Sequence, residues 1–185
     1  LALNDPGKEL YILHAAWRYA PGQAHARLGD AAAARGEAEA LAALIAETDF
    51  SDLEANGIPA REILEIARLT VLSRAAATDG DLDGAIEAIS EAVALQATLP
   101  YTEPPYWYYP ARQTLAALAL KKGETERAEQ LFHETLVESP NNGWAYYGLG
   151  EVYKARGDRN AARYAESLFK NAWAGGKTTP NLDRL

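Results

Sequence analysis

Four glycine–acid pairs punctuate this chain: Gly29-Asp30, Gly80-Asp81, Gly123-Glu124 and Gly157-Asp158. Each follows one apolar stretch of helical period and precedes another, such as Leu82, Ala85, Ile86, Ile89 and Val93, or Ala128, Leu131, Phe132 and Leu136. Glycine reaches the left-handed conformation that ends a helix, and an acid suits the positive N-terminus of the next one. Each pair therefore predicts a tight corner between two helices. Their spacing constrains the fold further: Gly157 lies 34 residues after Gly123, while the two earlier intervals, 43 and 51 residues, exceed that unit by 9 and 17. Helix pairs repeated at such a period bury their apolar faces only against neighbouring pairs, which predicts an all-α chain. Alanine, the strongest helix former, supplies 38 of the 185 residues and points the same way.

A 34-residue helix-turn-helix period carrying W-x2-L-G-x2-Y, then A-x3-F, then P is the tetratricopeptide pattern. Tyr146, Leu149, Gly150 and Tyr153 fit its first half with Tyr in place of Trp, and Ala128, Phe132 and Pro140 fit its second half one repeat earlier. Leu72, Ala85, Ile89 and Ala92 fit more loosely, and Gly22 holds the glycine place of the first unit. There Pro21 stands in the leucine place, which marks a kink or a helix start. The chain thus resembles the tetratricopeptide repeat family. That resemblance implies a right-handed α-solenoid of about four repeats in a single domain spanning 1–185, with repeats near 15–48, 66–98, 109–142 and 143–173. Residues 49–60 read as a surface loop. Residues 99–110, LPYTEPPYWYYP, form an aromatic, proline-rich insertion, and 174–185 form a tail. With the repeats after it, the insertion is similar to an LPYxEPPxWYYP segment found in a group of bacterial tetratricopeptide proteins.

Charge and composition narrow the functional classes. The net charge of −8 repels a nucleic-acid backbone. The acidity is concentrated in residues 1–100, which hold 16 acidic and 7 basic side chains against 10 and 11 in residues 101–185. No long apolar run predicts membrane insertion. Cysteine is absent, which removes thiol nucleophiles and thiolate metal sites and favours a reducing compartment, so the expected location is cytoplasmic. Methionine is absent even from position 1, as in a processed or truncated chain, so no leader can be judged from Leu1.

Three near-motifs invite chemistry. Asp79-Gly80-Asp81-Leu82-Asp83-Gly84 opens like a calcium loop, but its twelfth place is Ser90 and the segment from Ala85 reads as helix. Gly176-Lys177-Thr178 imitates the end of a phosphate loop, yet position 171 is Asn, no strand precedes it and Pro180 follows. His14 and His25 would lie roughly 16 Å apart on one helix, too far to share a metal. His133, beside Glu134, reads as a surface residue. Neither a metal, a cofactor nor a catalytic residue is expected.

In the family, the first helix of each pair lines a concave groove, and the resemblance places there Tyr19 and Gln23, Thr70 and Arg74, Gln113 and Lys121, and Trp144, Tyr147, Glu151 and Lys154. Tyr106 and Trp107 of the insertion join these as candidate binding residues, with some insertion rings expected on the third repeat and others near Trp144 and Tyr147. Thr70, Gln113 and Tyr147 stand where chaperone-binding members grip a terminal carboxylate, which argues against that ligand. The expected function is a non-enzymatic scaffold for a protein or peptide partner. The alternatives are a regulatory module of a longer protein or a sensor holding a small ligand in the aromatic pocket. Phe169, Ala172 and Trp173 end the last helix, and their apolar face is expected to be covered by the tail or by a second copy in a homodimer.

Overall fold

The computed structural model describes residues 4–178 and 180–185, and among these it contains nine α-helices and no strand. They are α1 (Tyr11–Arg27), α2 (Ala31–Glu47), α3 (Ser51–Ala55), α4 (Ala60–Thr78), α5 (Leu82–Gln96), α6 (Ala111–Lys121), α7 (Thr125–Glu138), α8 (Gly143–Ala155) and α9 (Arg159–Ala172). The architecture is an all-α helical repeat. The chain divides into two compact units, Leu1–Tyr109 and Pro110–Leu185.

The four expected corners are one structure made four times. Gly29, Gly80, Gly123 and Gly157 have φ of 84°, 81°, 87° and 75°. Each glycine amide donates three residues back, and the next amide donates five residues back: Asp30 to His25, Asp81 to Ala76, Glu124 to Ala119 and Asp158 to Tyr153, at 2.9 to 3.0 Å. This is the Schellman pattern, which satisfies carbonyls that the ending helix leaves open. In three corners the same acid then starts the next helix. Asp30 accepts from Ala33 N, Asp81 from Gly84 N and Asp158 from Asn160 N and Ala161 N. Glu124, one methylene longer, makes no such cap and reaches Arg127 instead. Asp81 is thereby engaged as a helix cap, and Asp79 of the same near-motif pairs with Arg35.

Within Leu1–Tyr109, α1 packs on α2 and α4, α2 on α4, and α4 on α5. Ser73 Oγ donates to the Ala85 carbonyl at 2.8 Å, and Thr78 Oγ1 to the Ala26 carbonyl at 3.1 Å, pinning α4 to both neighbours. Two sequence expectations change here. Of the two roles expected for Pro21, the helix start is overturned; it lies inside α1, followed by Gly22, whose missing side chain lets α1 approach Val71 of α4. A Cβ on Gly22 would stand 2.7 Å from Val71 Cγ1. Residues 49–60 are also more than a surface loop. They contain α3, and Phe50 is fully buried, edge-on to Tyr11 at 5.6 Å with the Arg61 guanidinium over its ring at 4.7 Å. The segment lacks an apolar period because a single ring anchors it.

Within Pro110–Leu185, α6 packs on α7, α7 on α8, α8 on α9, and α6 on α8. Phe132 is fully buried in a core built otherwise from small residues, including Ala116, Ala128, Ala145 and Ala165, with Leu149 and Val152. Gly148 makes room for that ring, since a Cβ there would lie 2.1 Å from Phe132 Cζ. Replacing Gly148 by Ala should therefore lower the melting temperature, the overpacking cost of about 1–3 kcal/mol outweighing the gain in helix propensity of roughly 1 kcal/mol. Gly36→Ala in α2, where nothing stands within 4 Å of the new Cβ, should raise it. Parallel thermal melts of the two variants check both signs.

Candidate functional site

The candidate residues form two groups, one in each unit. In Pro110–Leu185, α8 buries Ala145, Gly148, Leu149 and Val152 on one face. Tyr147, Glu151 and Lys154, spaced four and three residues apart, share a face one above another. Lys154 Nζ donates to Glu151 at 2.7 Å, and this bond holds the Lys154 ammonium above the usual lysine range. Partial burial, together with the Glu151 charge, pushes the Tyr147 hydroxyl upward. Asp183 of the tail adds to that push, and it also pairs with Lys121 at the end of α6. Lys121, Tyr147, Glu151 and Lys154 are thus linked across two first helices of successive pairs.

Trp144 and Gln113 have different tasks. Trp144 meets Trp173 edge-on at 5.0 Å, Phe169 lies 5.2 Å from Trp173, and Tyr147 lies 6.0 Å from Phe169. These four rings clasp the start of α8 to the end of α9. The Trp173 ring also covers Gly175, where a Cβ would be 2.3 Å from it, so glycine is required where the tail leaves α9. Gln113 is 1% exposed, and its Oε1 accepts from Asn142 Nδ2 at 2.9 Å. Asn142 Oδ1 in turn accepts from Trp144 N and Ala145 N. Expected on a groove surface, Gln113 is buried instead and orients the residue that starts α8.

In Leu1–Tyr109, the insertion's deepest ring, Trp107, is 9% exposed and stands edge-on to Tyr19 of α1 at 5.5 Å. Tyr108 lies beside Trp107 at 6.0 Å but is exposed, and Tyr106 is half-buried. Gln96 Nε2 donates to the Tyr109 carbonyl at 3.3 Å and ties the segment to the end of α5. Burial pushes the Tyr19 hydroxyl well above the tyrosine range, with Tyr108 adding to the effect and the half-buried Arg74 opposing it. Tyr19 of α1 thus gives the insertion a packing face within its own unit, one that the sequence reading did not weigh. Trp107 Nε1 and Gln23 Nε2 are buried without a hydrogen-bond partner among the described residues.

Two features escaped the sequence reading. One is a polar brace between α7 and α8: the Tyr153 hydroxyl donates to Glu129 Oε1 at 2.9 Å, and Arg156 pairs with the same carboxylate. Burial pushes Glu129 up, but the Tyr153 and Arg156 bonds outweigh it and hold the carboxyl below its usual value. The other is the seat of the tail. Leu185 is 2% exposed within the core cluster that contains Ala116, Ala145 and Leu149, and Leu182 packs against that cluster. This seat is not the Phe169, Ala172 and Trp173 face for which a cover was expected, and its signal was available as two leucines three residues apart in an otherwise polar stretch.

Around His14, neighbours satisfy both ring nitrogens: Nδ1 lies 2.9 Å from Asp5 Oδ1 and Nε2 3.4 Å from Arg18 Nε. Among the described residues no helix is long and apolar enough to cross a membrane.

Residues 119–163 match the family model described as Tetratricopeptide repeat. The matched stretch runs from the last turn of α6 through α7 and α8 into the start of α9, and so spans the brace and the Tyr147–Lys154 face. No curated protein and no solved structure matches the chain.

The brace makes a measurable pH effect. Burial and the bond to Glu129 raise the Tyr153 hydroxyl from 10.0 to about 12. A proton held more tightly in the folded state gives stability that is complete below the unfolded value and is lost as pH rises through the folded one. Between pH 10 and about 12 the melting temperature of wild type should fall more steeply than that of Tyr153→Phe; parallel slopes would contradict the brace.

Proposed function

We propose that the chain is a non-enzymatic scaffold for a protein or peptide partner, with the first helix of each pair making the contacts. Tetratricopeptide repeats generally mediate protein–protein interactions, and the matched stretch contains the face in question. The observation that carries the reading is the arrangement of α8: one face supplies the core, and the adjoining one holds Tyr147, Glu151 and Lys154 at helical spacing beside Lys121. A half-buried aromatic rimmed by charges of both signs is the composition of an interface anchor. Tyr147 and Lys154 are the contact residues in this reading, and Trp144 is their support through the ring clasp.

A second reading, a small ligand at the insertion, is favoured by the unsatisfied Trp107 Nε1 and Gln23 Nε2 near Tyr19. Buried donors without acceptors suit a ligand that brings one. A small molecule released on denaturing the purified protein, and lost from Trp107→Phe, would favour this reading over the first.

The scaffold reading predicts a separation between binding and stability. The double change Glu151→Lys with Lys154→Glu inverts the charges of the face but keeps an ion pair, so the melting temperature should stay near wild type while affinity for a captured partner falls at least roughly tenfold, the effect of losing one anchor of about 1.4 kcal/mol. Trp144→Ala should instead lower stability by roughly 2–3 kcal/mol, because Trp173 loses its facing ring. Quantitative capture from a native lysate, paired with melts, reads both. Equal capture by wild type and the inverted variant would refute the proposed face.

A further inference from the structure

The tail segment Asn181–Leu185 is built like a ligand. Asn181 organises it as a single 3-10 turn: its Oδ1 accepts from Asp183 N at 2.9 Å, its carbonyl accepts from Arg184 N at 2.9 Å, and Leu185 N donates to the Leu182 carbonyl at 3.1 Å. The turn presents Leu182 and Leu185 to the core cluster and Asp183 to Lys121. Lys121 and the nearby Tyr147 belong to α6 and α8, the same first-helix surface argued above to bind a partner. A preorganised turn with two apolar anchors and one acid loses little freedom on docking.

Among the contacts that hold the segment are one buried leucine, a second leucine that is half-buried and an ion pair whose Asp183 side chain is 66% exposed. An exposed pair is screened by water and salt and strengthens the attachment by no more than about fivefold, so reversing one of its charges, which adds repulsion, is enough to loosen the segment. Between α9 and the turn run eight residues, 173–180, including Gly175 and Gly176. Such a linker keeps a released segment beside its seat at an effective concentration on the order of 1 mM.

We propose that Asn181–Leu185 is a tethered occupant of the α6–α8 surface, and that the partner displacing it carries the same chemistry, two leucine-like side chains three residues apart with an acid between them. This rests on the scaffold reading and assigns that surface both a recognition pattern and an internal competitor. A trans segment then binds only when it outcompetes the tether. For an intrinsic dissociation constant of roughly 10–100 μM, the tether weakens apparent affinity about tenfold to hundredfold.

The test uses the full chain and a fluorescent peptide of residues 178–185, TTPNLDRL, followed by polarisation. The peptide should bind the D183K/L185S variant at least tenfold more tightly than wild type. Adding K121E to that variant should weaken binding at least fivefold, and a peptide carrying Lys in place of the Asp should recover it. Equal affinity for wild type and D183K/L185S, or binding to neither, overturns the proposal. If D183K/L185S melts early because Leu185 is buried, D183K alone is read in its place, since that side chain is largely exposed; it must still bind the peptide more tightly than wild type. A wild-type dimer by light scattering that D183K dissociates would place the segment on a second copy and overturn the tethered arrangement. The two readings fail separately. A partner captured equally by wild type and D183K/L185S but lost from the Glu151/Lys154 inversion leaves the scaffold standing without the competitor. Peptide behaviour as expected, with no partner sensitive to that inversion, removes the contact face and keeps the competitor.

Discussion

The amide that follows each corner glycine donates to a carbonyl five residues earlier, and the side chain on that same residue accepts from the first turn of the next helix in three corners of four. One residue thus closes one helix and opens another, with glycine beside it because φ near +80° is strained for any side chain. The geometry leaves no slack between the helices of a pair. It fixes which residues of a pair face inward, and successive pairs then meet through a large side chain and a glycine, Phe132 against Gly148 in one unit and Val71 against Gly22 in the other. The composition of the adjoining face of α8 follows from the same constraint, because Tyr147, Glu151 and Lys154 are what remains once Ala145, Gly148, Leu149 and Val152 are committed to the core.

The corners and helix pairs were legible because each depends on residues adjacent in the chain. Gly80-Asp81 needs only its own neighbours to be a corner, and no distant residue overrides it. Phe50 and Pro21 show the opposite case. A single buried ring gives no period, so its burial depends on Tyr11 and Arg61, which sequence spacing does not associate with it. Pro21 lies within α1 beside Gly22, through which the helix approaches Val71 of α4, a contact that exists only after the pairs have packed.

The candidate residues were read less well than the fold, and for one physical reason. Aromatic and amide side chains serve a core and a binding surface equally, and only burial separates the roles. Gln113 looks like a polar groove residue until its acceptor is found oriented on Asn142. Trp144 looks like a ligand platform until Trp173 is found edge-on to it. Lys154 and Tyr147 lie off the core because the helix that carries them spends another face on it. The tail or a second copy was expected to cover the Phe169, Ala172 and Trp173 face, but the seat that the tail takes needed Lys121 and Asp183, which are 62 residues apart, to be seen together.

The corner hydrogen bonds define the repeat, and amide hydrogen exchange tests this most directly. The amides of Asp30, Asp81, Glu124 and Asp158 belong to residues at or near the surface, so exposure alone would let them exchange at close to the unstructured rate. Since each is bonded to the preceding helix, all four should be protected, and more strongly than the amides of Tyr101 and Glu103 in the insertion, for which no backbone bond of this kind is formed among the described residues. Fast exchange at the four corner amides, comparable to that of Tyr101 and Glu103, would contradict the account.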